Sequence, residues 1–180
     1  MTASVNDAPG LPDILAPNLR VVFCGINPGL TSAALGRHFA GRSNRFWKTL
    51  HLAGFTREEI APENGRLILS EGCGLTTAVA RPTARADELS LNEFERAALG
   101  LSAKMARYSP KYVAFLGKAA FAAIFERKLV EWGKQDGCLE DRRHGSCLIP
   151  AASIVPSAWI NWFALTASFA LPRSHHDRIF

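Results

Sequence analysis

LRVVFCGINPG, residues 19–29, is the stretch that decides the fold of this chain. Its first part is rich in β-branched and aromatic residues and ends at Gly25, a pattern typical of a buried strand. The INPG that follows is typical of a tight turn at the carboxyl end of that strand. Because open α/β sheets bind ligands at the carboxyl ends of their strands, Asn27 is a candidate site residue.

Helices and strands alternate after this turn. The sequence predicts helices at 43–54, 62–70, 91–105 and 118–125, strands at 74–79, 112–117 and 146–149, and an apolar helix at 157–170. Ser90 is predicted to cap the longest helix, whose core positions are Leu91, Phe94, Ala98, Leu101 and Met105. This alternation predicts an α/β protein with a parallel sheet covered on both faces.

The chain has 180 residues, of which 48% are hydrophobic, enough for one core and too few for two typical domains. We predict a single domain over 18–180, preceded by a flexible leader at 1–17. The leader has Asp7 and Asp13 and no positively charged start, so the sequence predicts no signal peptide there.

The net charge is +5, from 21 Lys and Arg against 16 Asp and Glu, which suits a polyanionic partner but does not require one. The four cysteines form no C-x-x-C pair and no zinc spacing, and Cys24 and Cys147 lie in apolar runs. We therefore expect reduced thiols in a cytoplasmic protein, associated with the nucleoid if the chain is bacterial.

Residues 145–172 carry no charge. Pro150 and Pro156 would interrupt a membrane-spanning helix there, so the sequence predicts no membrane contact. The apolar helix predicted at 157–170 lacks a charged outer face, which favours either docking on a protein partner or a second copy, or a diverged chain end.

GINPG on its own is also compatible with an ordinary turn, in which Asn is used for its turn propensity. The phosphate-binding alternatives fail, because the chain has neither a P-loop nor the three spaced glycines of a dinucleotide site. The function of the GINPG turn is therefore indicated only by the residues around it.

Those residues extend the pattern. GINPGL at 25–30, Phe39 and NRFW at 44–47 together resemble the mismatch-specific uracil-DNA glycosylase and thymine-DNA glycosylase family, part of the uracil-DNA glycosylase superfamily. The resemblance continues, in the family's order, through HLAGFT at 51–56, GLTT at 74–77, RPT at 81–83, VAFLGK at 113–118 and WGKQ at 132–135. It covers roughly residues 15–135.

The resemblance implies a three-layer α/β/α sandwich with a central, mostly parallel twisted sheet. It also implies a monofunctional base-excision repair enzyme that flips uracil, thymine or a damaged pyrimidine from mismatched duplex DNA, hydrolyses its N-glycosidic bond and leaves an abasic site. Mispaired bases are the least costly to extract, which itself favours mismatches. Neither metal nor cofactor is implied, and the partner is double-stranded DNA with G·U or related mismatches.

The resemblance also implies residue roles. Asn27 positions the attacking water, Phe39 stacks on the extruded base, and backbone groups of Gly25, Ile26, Pro28 and Gly29 surround the base edge. A basic, glycine-containing loop supplies DNA contacts, for which the candidates are Arg37, His38, Arg42, Asn44 and Arg45. Lys118, at a helix start, is either a phosphate contact or solvated, and Asp87 and Glu88 are secondary acid candidates.

The family's second motif follows the last strand and supplies a wedge for the gap left by the flipped base. It is degenerate here, and two registers remain open. One uses 151–155, with Ser153 as a substrate contact and Ile154 or Val155 as the wedge, and the other uses 155–159, with the pair Pro156–Ser157 and Trp159 intercalating. Both registers lack the arginine that the family motif has, so we expect weak contacts to the guanine left unpaired and only a weak preference for mismatches that contain guanine.

Two other functions stay open. One is a binding module for mismatched or abasic DNA that keeps the pocket but has lost turnover with the decay of its second motif. The other is a small α/β enzyme acting on a free nucleoside, which would leave the basic loop at 37–45 unexplained.

Overall fold

A computed structural model of the chain describes residues 10–135, 140–141, 146–147 and 152–154. Its strands are β1 (Val21–Gly25), β2 (Cys73–Thr77), β3 (Tyr112–Phe115), β4 (Gly133–Gln135), β5 (Glu140–Asp141), β6 (Ser146–Cys147) and β7 (Ala152–Ile154). Its α-helices are α1 (Leu30–Leu35), α2 (Phe46–Leu52), α3 (Leu91–Tyr108) and α4 (Lys118–Ile124), with 3₁₀ helices at Pro62–Leu69 and Ala86–Glu88.

The main sheet has the order β2-β1-β3-β7-β4. β1 pairs in parallel with both β2 and β3, and β7 continues the parallel arrangement on the far side of β3. Only β4, among these five strands, runs antiparallel to its neighbour. The prediction of a mostly parallel sheet is confirmed.

Side chains of β1 alternate between two cores, as the pleat of a strand requires. Val22 and Cys24 pack with the buried faces of α3 and α4. Val21 and Phe23 pack on the opposite face with α2 and the 3₁₀ helix at Pro62–Leu69. Helices therefore cover both faces of the sheet, which confirms the three-layer α/β/α fold.

The state of two cysteines, Cys24 and Cys73, follows from this packing. Cys24 and Cys73 are free thiols on buried strands. Burial raises the pKa of each to about 12, because a thiolate would lose its hydration there. Both thiols are therefore protonated at neutral pH.

Several predicted boundaries need correction. The helix predicted at 43–54 is shorter in the structure, where α2 covers only Phe46–Leu52. The side chain of Asn44 accepts the N–H of Phe46 at 2.9 Å, so the loop continues as far as the start of α2. Pro62–Leu69 is a 3₁₀ helix. Leu91, predicted to be a core residue, is 72% exposed because it precedes the turn at which α3 first meets the core, at Phe94.

The end of the sheet was also predicted wrongly. The strand expected at 146–149 is represented by β6, which pairs with β5 in a separate antiparallel ribbon. Ser153, expected in a loop, lies in the middle of β7, opposite Ala114 and Lys134. The strand that lies beside β3 is β7. It was not predicted because strand pairing depends on long-range contacts that the local sequence pattern does not determine.

Residues 10–17 differ from the expected flexible leader. Ile14 is buried and exchanges two backbone hydrogen bonds with Leu75 of β2, at 2.8 and 2.9 Å. Asp13 accepts from Lys104 of α3 at 2.7 Å and from the hydroxyl of Thr76 at 2.6 Å. This segment is thus part of the domain, which the structure extends toward the amino terminus.

No helix within the described part of the chain is both long enough and apolar enough to cross a membrane. The apolar helix predicted at 157–170 lies outside the described residues, as do Val155 and the register at 155–159.

Two leucines on the same helix test the proposed core. Leu101 of α3 is 2% exposed and Leu99 is 58% exposed. We expect Leu101→Ala to lower the free energy of unfolding by roughly 2–5 kcal/mol, because it leaves a cavity, and Leu99→Ala to change it by less than about 0.5 kcal/mol. Urea denaturation measures both, and equal effects would contradict the assignment of the inner face of α3.

Candidate active site

A cavity of about 670 Å³ opens at the carboxyl end of β1. Its walls come from the end of β1 and the turn after it, from the loop at 38–45, and from Thr77 at the end of β2. Eight of the predicted site residues line it: Gly25, Asn27, Pro28, Gly29, His38, Phe39, Asn44 and Arg45. The structure thus brings the INPG turn and the aromatic loop at 38–45 to one place.

The side-chain amide of Asn27 has a defined orientation. Its Nδ2 donates to the backbone carbonyl of Arg81 at 2.9 Å and to the hydroxyl of Thr83 at 2.7 Å. The Arg81 carbonyl can only accept, so the NH₂ group must face it and Oδ1 must point away. No group in the described part of the chain donates to Oδ1, which leaves a hydrogen-bond acceptor available in the cavity.

Thr83 is a site residue that sequence reasoning missed. It is buried, its hydroxyl accepts from Asn27, and its N–H donates to the carbonyl of Pro28 at 3.1 Å. Pro82 and Thr83 are both buried, although the polar composition of 81–88 is typical of an exposed loop, and Thr83 pairs with Gly29 of the INPG turn. The signal available beforehand was the RPT of the family resemblance.

Phe39 forms a wall of the cavity. Its ring stacks on Phe46 with centroids 4.0 Å apart. A Cβ atom at position 25 would lie 3.6 Å from the edge of the Phe39 ring, so Gly25 keeps the floor beside this ring free. The φ angle of Phe39 is +54°, an unfavourable region for a bulky residue, and such residues are concentrated at functional sites.

The sequence, compared with models of protein families, matches the one described as the Uracil DNA glycosylase superfamily over residues 12–172. The chain belongs to this superfamily. The match includes residues 136–172, beyond the region over which we identified a resemblance. It supports a DNA glycosylase-like activity on a DNA substrate.

His38 has a different place in this glycosylase-superfamily chain from the one expected. Its side chain is buried, and Nε2 is 2.9 Å from the carbonyl of Pro12, to which it donates. Burial lowers the pKa of His38, which keeps the ring neutral. Its carbonyl accepts from Trp47 at 3.1 Å, so His38 shapes the loop, and the structure gives no support to the phosphate contact predicted for it.

The other basic residues of the loop are accessible to DNA. Arg37, Arg42 and Arg45 are exposed, and none of them forms an ion pair with another described residue. Lys118 begins α4, outside the cavity lining, and its ammonium lies 4.8 Å from the centre of the Trp132 ring. The three arginines are thus better placed for phosphates than Lys118.

Three further predicted residues do not line the glycosylase cavity. Ile26 turns its side chain toward the core beneath α3 and α4, and its carbonyl accepts from Val79. Asp87 pairs with Arg85 at 2.7 Å, which lowers the pKa of Asp87, and Glu88 accepts the N–H of Arg85 at 2.8 Å. Asp87 and Glu88 are exposed and engaged elsewhere, so the structure does not support them as acids at Asn27.

The backbone carbonyl of Arg81 accepts from Asn27, and the side chain of the same residue is held by Glu93. Its Nε and Nη2 donate to the two carboxylate oxygens at 2.6 and 3.1 Å. Glu93 also accepts the N–H of Ser90 at 2.9 Å, which confirms the predicted helix start at Ser90. The Arg81 hydrogen bonds, followed by the one from the Ser90 backbone, lower the pKa of Glu93 to about 2.

The lowered pKa of Glu93 allows its ion pair with Arg81 to be tested by changing the pH. Because the pKa of Glu93 is about 2 in the folded protein and 4.5 ordinarily, the ionised carboxylate stabilises the fold above about pH 4.5. That contribution is lost as the pH falls toward 2. We expect the difference in free energy of unfolding between wild type and Glu93→Gln to be constant from pH 5 to 8 and to shrink below about 4.5. Urea denaturation across this range measures it, and a difference that does not change with pH would contradict the ion pair.

Proposed function

We propose that the protein is a monofunctional DNA glycosylase that flips uracil out of mispaired duplex DNA and hydrolyses its N-glycosidic bond. The observation that carries this proposal is the orientation of the Asn27 amide, with a free Oδ1 at a cavity that also contains the stacked Phe39. The cavity volume of about 670 Å³ lies within the range of roughly 300–1,000 Å³ typical of small-molecule sites. Bases of similar size to uracil, namely thymine and damaged pyrimidines, are therefore the substrates we would test next.

The aromatic wall supports recognition of a base. Phe46 covers one face of the Phe39 ring, and Phe39 is half-buried where it borders the cavity. A flat pyrimidine can stack on the face that Phe46 leaves uncovered, a contact worth about 1–3 kcal/mol in nucleic-acid complexes. Extraction is cheapest for a mispaired base, so this pocket favours mismatches without reading the partner strand.

Asn27 then orients the water. A carboxamide has no pKa near neutrality and cannot remove a proton, but Oδ1 can accept a hydrogen bond from a water molecule beside C1′. The C1′–N1 bond breaks with both electrons leaving on uracil, the water oxygen bonds to C1′, and the released proton passes to solvent. Hydrolysis is thus driven by departure of the base, and we expect slow turnover.

The exposed arginines supply the DNA surface. Arg37, Arg42 and Arg45 flank the cavity wall that contains Phe39, and phosphate contacts at these positions would bring a flipped nucleotide to the pocket. Since phosphate contacts carry no sequence information, selection is left to the cavity itself. This separation fits an enzyme that searches any DNA for a rare base.

For the second motif, we propose the register at 155–159. The family motif follows the last strand, and β7 ends at Ile154, so the residues that come next in the sequence are Val155, Pro156 and Ser157. This register keeps the Pro–Ser pair and offers Trp159 as the wedge. Ser153 lies inside β7, which disfavours the alternative register.

Base release tests the catalytic role of Asn27. We expect the wild type to release uracil from G·U duplexes, and Asn27→Ala to be slower by about 100-fold or more, the scale for loss of one oriented polar group in an active site. The assay compares G·U, A·U and single-stranded oligonucleotides under single-turnover conditions with a chelator present. Asn92→Ala, an exposed asparagine on α3, is the matched control and should be unchanged.

Two outcomes would contradict the proposal. If the wild type binds mismatched or abasic duplex tightly but releases no base, the protein is a binding module of the same fold. If it releases the base from a free nucleoside as fast as from DNA, the duplex is not its substrate.

Salt dependence tests the arginine surface. We expect Arg42→Gln and Arg45→Gln each to reduce the slope of log affinity against log salt by about 0.9 for mismatched duplex, because each removes one displaced counterion. Fluorescence anisotropy from 50 to 200 mM salt measures the slope. Arg96→Gln is the control, since Arg96 is an exposed residue of α3, in the layer on the other face of the sheet from α2. A slope lowered equally by Arg96→Gln would contradict this surface.

A further inference from the structure

We infer that Arg81 and Glu93 form a positioning pair, which keeps the amide of Asn27 in the orientation that presents Oδ1 to water. The inference rests on the proposed function and adds two residues to it that lie outside the cavity lining. It is carried by a continuous set of contacts from the core of the protein to the catalytic amide.

The set begins in the core. Glu93 is followed by Phe94, a buried residue of α3 that packs with Val22 and Cys24 of the sheet. Glu93 also accepts the N–H and hydroxyl of Ser90 at 2.9 Å each, so its carboxylate is fixed at the start of α3. The helix thus offers a rigid support at that point.

Arg81 connects this support to the site. Its guanidinium makes two hydrogen bonds to Glu93 and a third to the carbonyl of Glu88, at 3.0 Å. Two-point contact between a planar guanidinium and a carboxylate fixes direction as well as distance. The backbone carbonyl of the same residue accepts from Asn27, so fixing the side chain of Arg81 also fixes the acceptor.

The backbone around Arg81 is attached to the turn after β1 on either side, since Val79 donates to the carbonyl of Ile26 and Thr83 is buried against the turn. Residues 84–88 are exposed, and Pro82 has no N–H with which to hold the chain. Thr83 is attached to the INPG turn through the carbonyl of Pro28. Between the backbone hydrogen bonds of Val79 and Thr83, the contacts of the Arg81 side chain with Glu93 are therefore what sets the direction of the Arg81 carbonyl.

Orientation of the amide is what the pair controls. A carboxamide is nearly symmetric in shape, so rotation by half a turn would exchange its NH₂ group and its oxygen at little steric cost. With NH₂ toward the cavity, Asn27 could no longer accept a hydrogen bond from water. The Arg81 carbonyl excludes that rotamer, because it would then face the Asn27 oxygen with no proton between them.

The first experiment separates catalysis from binding. We expect Arg81→Met, which keeps the backbone carbonyl, to lower the single-turnover rate of uracil release about 10-fold, since small displacements in a site are costly. Affinity for a duplex with an uncleavable abasic analogue should be unchanged. Arg85→Met is the matched control, because Arg85 lies in the same segment and pairs with Asp87 but does not contact Asn27. A change in affinity equal to the change in rate would overturn the inference.

A double-mutant cycle tests whether the effect passes through Asn27. In the Asn27→Ala background, Arg81→Met should cause no further loss of rate, because the amide that it positions is absent. A further loss of about 10-fold in that background would show a merely structural role and overturn the inference. Arg81→Lys, which keeps the charge, is the second variant if Arg81→Met does not fold, and should retain an intermediate rate.

A third readout does not need activity. The side-chain NH₂ signals of Asn27, identified in NMR spectra by their absence from Asn27→Ala, should exchange slowly with solvent in the wild type and in Arg85→Met. They should exchange faster in Arg81→Met. Equal exchange in all three overturns the positioning pair, whereas a wild type that releases no base contradicts the proposed function alone.

Discussion

The pairing of β1 on both of its edges is the constraint on which the rest of the molecule depends. β1 is buried on both faces and hydrogen-bonded in parallel to β2 and β3, in a register that places Gly25 beside Thr77. Parallel pairing aligns the carboxyl ends of the strands at one edge of the sheet. For that reason the turn after β1 and the segment after β2 meet, although they are more than fifty positions apart in the sequence.

The chemistry of the site follows from this meeting. The segment after β2 contributes the acceptors that orient Asn27, and the turn after β1 contributes Asn27 itself. Neither segment could define the orientation alone, because an exposed amide rotates freely. The loop before α2 adds Phe39, supported by Phe46 and by the buried His38. The result is an uncharged side chain with a fixed hydrogen-bonding direction at the cavity, to which we assign the catalytic role in our proposal.

Much of this could be predicted from the sequence, and the failures have physical causes. β1, β3, α4 and the inner face of α3 have strong local patterns, and the structure confirms them. β7 was missed because a short run such as Ala152–Ile154 becomes a strand only through its partners. Similarly, burial keeps His38 uncharged, and its Nε2 donates to the carbonyl of Pro12, a long-range contact that no local pattern reveals.

In the site, too, residues with a local sequence signal could be predicted and residues that depend on long-range contacts could not. The carboxyl end of β1 indicated Asn27, and the family resemblance supplied Phe39 as its partner. Thr83, Arg81 and Glu93 are linked to Asn27 through tertiary contacts, whereas sequence reasoning indicated their neighbours Asp87 and Glu88 as candidate acids. Only the tertiary structure distinguishes them, because acidic residues that are close in the sequence differ in what they contact rather than in their type.

The most direct measurement is a crystal structure of the protein with a duplex that contains 2′-fluoro-2′-deoxyuridine opposite guanine, a nucleotide that resists hydrolysis. This account requires the uracil ring to stack on Phe39 inside the cavity, with a water molecule within hydrogen-bonding distance of Asn27 Oδ1 and Nδ2 still on the Arg81 carbonyl. A nucleotide that remains stacked in the duplex, or an Asn27 amide that presents its NH₂ group to the water, would contradict it.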